Sequence, residues 1–142
     1  MPAHHKIDDN NKVIITIWSG RTIDTELVDA LENYHQVIKN RPEYSYYDEI
    51  VDFTGANGFD LSAAGMMRLS QVAARADAQG VRTKLAIIVN TSFAYGMGRL
   101  YQFYRTLKPG NCKEVHVFKD PAEALKWIKG ASAPKSIHPG ND

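Results

Sequence analysis

The strongest constraint in this chain is a rhythm. Four times a short β-branched or aromatic run gives way to a longer stretch with apolar residues three to four positions apart, at roughly 30 residues per cycle. That spacing fits a strand, a crossover helix and a return to a parallel neighbour. Residues 12–18 (KVIITIW) read as the first long strand, bounded by Asn10-Asn11 and Ser19-Gly20. Residues 4–8 can form a short strand leading into it through a turn at residues 9–11. Further strands are predicted at residues 46–53, 85–89 and 114–118. The third of the long strands, LAIIV, is continuously apolar and suits the middle of a sheet covered on both faces.

The intervening segments carry helical periodicity. In residues 24–39, Leu27, Leu31, Tyr34 and Ile38 fall on one face, Thr22 or Asp24 can cap the start, and Asn40-Arg41-Pro42 closes it. Residues 61–79 form a second helix with Met66, Leu69, Val72, Ala73 and Ala76 inward, stopped by Gly80. A third spans residues 93–107 after the capping run Asn90-Thr91-Ser92. The last starts at Asp120-Pro121, an N-cap followed by proline at the first helical position, and ends at Gly130. The expected fold is α/β: a single-domain open sheet of four to five mostly parallel strands with about four helices.

A length of 142 residues suits one domain, and 17 Lys plus Arg against 16 Asp plus Glu leaves a formal charge of +1. Near-neutrality argues against a nucleic-acid partner. Residues 1–9 read as flexible or as a short edge strand, 10–130 as the domain, and 131–142 (ASAPKSIHPGND) as a flexible tail. The opening MPAHHKIDDN lacks the apolar core of a secretory signal, no aliphatic run could span a bilayer, and Cys112 has no intrachain partner. The expectation is a cytoplasmic protein with no membrane span.

In an open parallel sheet, function gathers at the carboxyl ends of the strands. Asp52, Thr54, Asp60, Thr91 and Ser92 are the polar residues expected on that rim, and Asp60, Thr91 and Asp120 can each cap a helix. The segment FTGANGFD, residues 53–60, reads as a loop with Gly55 and Gly58, but it is neither a Walker loop nor a dinucleotide fingerprint. Gly96 and Gly98 lie inside a helical pattern and fit a close helix approach.

The stretch EIVDFTGANGFDLSAAGM, residues 49–66, resembles the central motif of STAS domains, the sulfate-transporter and anti-sigma-factor-antagonist family with SpoIIAA as type example. In that family an apolar strand ends in aspartate, and a loop leads to Asp-Ser-Ser-Gly at a helix start. Asp52 matches the strand aspartate, Asp60 the motif aspartate, and Ser62 the serine that a partner kinase phosphorylates. Leu61 and Ala63 depart from the motif, at its first serine and its glycine. The second half (IIVNTSFAYGMGRLYQFYR and VFKDPAEALKWI) is more similar to the poorly characterised bacterial SpoIIAA-like branch. The likeness covers about residues 10–130. It implies a binding or regulatory domain, with an antagonist-type switch phosphorylated at Ser62 as the alternative.

Catalysis finds little support. No nucleophile elbow, zinc-binding helix or phosphate loop is present, His116 alternates with valines in a strand, and no metal or cofactor is called for. A small enzyme of unknown reaction remains the second alternative. The third helix is rich in aromatics. At 100° per residue, Phe93, Met97, Leu100 and Tyr104 are assigned to the core, Tyr95 and Arg99 lie opposite, and Tyr101 and Phe103 flank it. With Met67 on the second helix, Tyr95, Arg99, Tyr101 and Phe103 are the candidates for contact with a protein partner, a second copy in a homodimer, or a small apolar ligand.

Overall fold

The computed structural model describes residues 3–77 and 80–130. Five strands form one sheet in the order β1-β2-β3-β4-β5: β1 (Ala3–Asp8), β2 (Val13–Ile23), β3 (Asp48–Asp60), β4 (Thr83–Ile88) and β5 (Lys113–Phe118). The β1–β2 hairpin is antiparallel, and each later pair is parallel. The helices are α1 (Asp24–Asn40), α2 (Ala63–Ala74), α3 (Ser92–Thr106) and α4 (Pro121–Ile128), with a 3-10 turn at Pro42–Tyr46. The expected α/β class and mostly parallel sheet are what the chain adopts. The tail predicted at 131–142 lies outside the described residues.

Strand alternation sends side chains to two faces. Trp18, Leu85, Ile87, Val89, Val115 and Val117 pack in a core with Leu27 of α1, Met66 and Ala73 of α2 and Ala94 and Tyr101 of α3. Val13, Ile50, Ala86, Ile88 and Phe118 turn to the other face, where Ala124, Trp127 and Ile128 of α4 cover them. β4 is buried along nearly its whole length, as an interior strand between two layers must be.

Three departures from the sequence reading have physical causes. The segment 53–60 is not a loop: β3 runs through it to Asp60, paired in parallel with an equally extended β2 as far as Ile23. Two register shifts make this possible. Between the Ile17–Asp52 and Ser19–Gly55 pairs, and again between Gly20–Ala56 and Arg21–Gly58, β3 carries one residue more than β2. The first bulge needs a small residue. A Cβ on Gly55 would stand 2.9 Å from the Trp18 carbonyl oxygen.

Helix α2 stops at Ala74 rather than running to residue 79, with Arg75 as its C-cap. In α3 the fully buried residues are Ala94, Gly98, Tyr101 and Arg105; of the residues expected inward, Met97, Leu100 and Tyr104 pack half-buried against the same core, and Phe93 lies outside it. The inward face is turned by about one residue, because Gly98 lets the helix settle against Val117 of β5 and the neighbours of that glycine set the contact. Phe93 is left 49% exposed.

Replacing Gly55 by alanine should destabilise the protein by about 1–3 kcal/mol, since the obstructing atom is backbone. Gly96→Ala, where an added Cβ meets nothing within 4 Å, should stabilise it by about 0.5–1 kcal/mol. Urea unfolding of the two variants checks the contrast; equal effects would refute the bulge argument.

Candidate functional site

The polar residues expected on the strand-end rim separate into local structures. Asp52 turns on its own chain: its Oδ1 accepts from the Thr54 amide at 2.8 Å and the Thr54 hydroxyl at 2.7 Å, which closes the first β3 bulge. Asp60 is exposed at the end of β3, 3.6 Å from Arg21, and does not cap α2. Ser62 is the N-cap of α2, accepting from the Gly65 amide at 3.0 Å. Its hydroxyl donates to Asp24 Oδ2 at 2.8 Å and its amide lies 3.3 Å from Asp24 Oδ1. The hydrogen-bonded carboxylate partner of Ser62 is therefore Asp24, at the start of α1, rather than Asp52 or Asp60. Gly65 makes room for that carboxylate, because a Cβ there would overlap it. Thr91 caps α3 by accepting from the Ala94 amide at 3.1 Å, and Ser92 is the first helical residue, exposed. Asp24 likewise is no N-cap; Ile23 holds that position without a side-chain bond.

The surface candidates also divide. Met67 and Phe103 are 43% and 55% exposed, and Leu107 on the same helix end is 59% exposed. Tyr95 is half-buried between two cations, with Lys119 Nζ 5.2 Å and the Arg99 guanidinium 5.9 Å from its ring centre. Tyr101 turns inward at 6% exposure.

Tyr101 leads to the space beneath the helices. Between the inner face of the sheet and α1, α2 and α3 lies a cavity of ≈ 150 Å³, lined mainly by apolar side chains such as Trp18, Leu27, Phe53, Met66, Leu85 and Ile87. One end is polar. Glu49, inward-facing on β3, receives Lys113 Nζ from β5 at 2.7 Å and the hydroxyl of Tyr34. Arg105, 2% exposed, donates to the Tyr101 hydroxyl at 2.9 Å and to Asp77 at 2.5 Å. His5 bonds Thr16 Oγ1 at 2.8 Å, and His35 completes this end from α1.

Burial alone would raise the Glu49 carboxyl, but the Lys113 ammonium, hydrogen bonds from Lys113 and Tyr34, and the more distant Arg105 charge hold it below its ordinary value. Burial pushes the Tyr34 and Tyr101 hydroxyls up, so both stay protonated. Burial lowers His5 and His35, in His35 with help from the Arg75 charge, so both favour the neutral ring.

The sequence singles out none of Glu49, Arg105 or Lys113. The one available signal was Glu49 itself, an acidic residue in the inward phase of a strand whose other inward residues are Val51 and Phe53. Among the described residues no group of three or more His, Cys, Asp or Glu could hold a metal ion, and no helix is long and apolar enough to cross a membrane.

No family model matches the chain, and no curated protein matches it. A solved structure does: an uncharacterised protein of the DUF3478 family with a SpoIIAA-like fold from Shewanella loihica PV-4, at a TM-score of 0.53 and 14% identity, over 89% of this chain and 91% of that one. At that identity the likeness is one of fold. The fold expected from residues 49–66 is the one the chain adopts, a SpoIIAA-like sheet.

Glu49→Gln should destabilise the protein by about 3–5 kcal/mol near neutral pH, because it strands a buried ammonium, and adding Lys113→Met should recover part of the loss. Since the folded carboxyl titrates below its ordinary value of 4.5, the wild-type advantage is complete above that value and is lost as pH falls through the folded one. Denaturant unfolding from pH 7 to pH 3 checks this. A stability gap between wild type and Glu49→Gln that does not narrow in acid would contradict it.

Proposed function

We propose that this protein is a non-enzymatic binding module of the cytoplasm that takes a small apolar molecule into the cavity beneath α1, α2 and α3. The observation that carries the reading is the cavity: ≈ 150 Å³ of mainly apolar lining inside a domain whose second core is closed by α4. Well-packed interiors hold few voids larger than a water molecule, and an engineered apolar cavity of about 150 Å³ stays dry and binds benzene. The chemistry around the space favours holding over transforming. The two carboxylates at its end are tied in ion pairs, and a base that is already paired is poorly placed to accept a proton from a ligand.

Two further readings have less behind them. An antagonist-type switch at Ser62 has the serine exposed at a helix start in its favour, but a phosphate there would sit against the Asp24 carboxylate that the hydroxyl now touches at 2.8 Å. A protein partner or second copy on α2 and α3 has the exposed Met67, Phe93, Phe103 and Leu107 in its favour.

Toluene should give a saturable, residue-specific NMR response centred on Leu85, Ile87 and Tyr101. Ala73→Leu, which fills the lining from α2, should stay folded and lose that response. A wild-type protein that shows no saturable response removes the reading. For the surface reading, Phe103→Asp should lower the mass measured by light scattering; a mass equal to one chain in both proteins removes it.

A further inference from the structure

The polar end of the cavity contains one donor that the fold leaves unused. Arg105 is 2% exposed. Its Nη1 and Nη2 are engaged by Tyr101 and Asp77, yet its Nε, fully buried, has no hydrogen-bond partner among the described residues. His35, lining the same cavity from α1, has its Nε2 buried and without a partner as well. Native structures rarely leave such groups unsatisfied, because each carries its full desolvation cost. Both orphans lie on residues that border this mainly apolar cavity, so a ligand oxygen can satisfy what the protein does not.

Resting on the reading of the cavity as a ligand site, we propose that the ligand is a neutral molecule about one ring in size whose hydroxyl oxygen accepts from Arg105 Nε. Size follows from the ≈ 150 Å³ available, the space a benzene-sized molecule fills. Neutrality follows from the charges already present: Lys113 and Arg105 balance Glu49 and Asp77. A carboxylate would bury a third negative charge against two positives, which low-dielectric surroundings penalise. A hydroxyl, unlike a carbonyl, also brings a proton of its own, and the neutral His35 ring offers an acceptor for it. The apolar remainder would lie along Trp18, Met66, Leu85 and Ile87. Phenols and compact cyclic alcohols have this chemistry.

The test compares toluene, para-cresol and para-toluate, which differ only in the polar group, by NMR titration of the full chain at pH 7. Para-cresol is expected to bind about tenfold tighter than toluene, and para-toluate more weakly than para-cresol. Arg105→Lys keeps the charge facing Asp77 and removes the Nε–H; it should bring para-cresol down to the level of toluene while leaving toluene unchanged. Should that variant not fold, the Arg105 Nε resonance of the wild type reads the same contact and should move with para-cresol but not with toluene. Para-cresol no tighter than toluene, para-toluate tightest of the three, a preference that survives Arg105→Lys, or an Nε resonance indifferent to para-cresol would each overturn the hydroxyl assignment. Toluene binding without any preference for para-cresol leaves the apolar site standing and removes only this inference. Failure of all three to bind removes both.

Discussion

The buried bridge between Glu49 and Lys113 governs the interior of this protein. The two residues are 64 positions apart and belong to β3 and β5, so the 2.7 Å contact reaches past β4 and ties the middle strand to the edge of the sheet. Neither charge could be buried alone. Having both in place, with Tyr34 completing the carboxylate, puts a polar cluster into a layer that is otherwise apolar. The second pair, Arg105 with Asp77, does the same from the helical side. The space between sheet and helices is thus apolar over most of its wall and polar at one end, a division that would orient the ligand proposed for it.

Much of the architecture could be read from the sequence because the residues involved have few alternatives. Asp120-Pro121 starts a helix almost wherever it occurs, and Asp120 does accept from the Ala122 amide at 2.9 Å. The run LAIIV falls on β4, an interior strand, because only a site covered on both faces would take five apolar residues in succession. The short strand before residue 9 and the turn that follows it were also legible, and they become the antiparallel β1–β2 hairpin.

The rest depended on tertiary contacts that leave no local mark. Gly55 and Gly58 look like loop residues, yet they sit in a bulged strand because β2 offers a partner for the whole length of 53–60. The facing of α3 turns on Gly98 meeting Val117, a contact between residues 19 apart in sequence that helical periodicity does not anticipate. Aromatic character misleads there: Phe93 looks like core and is exposed, while Tyr101, expected at the flank, and Arg105 are buried. Ser62 was legible as a helix start, but its hydrogen-bond partner Asp24 lies 38 residues earlier and no motif connects them.

The two ion pairs at the cavity end have an electrical consequence. Opposite charges set in contact present a multipole rather than a net charge, and such a field decays within a few ångströms instead of reaching across a Debye length. Salt in the surrounding solution therefore has little purchase on what happens inside. Were the proposed ligand to enter, its occupancy would be set by shape and by short-range donors and acceptors, and a cell's changing ionic strength would pass it by.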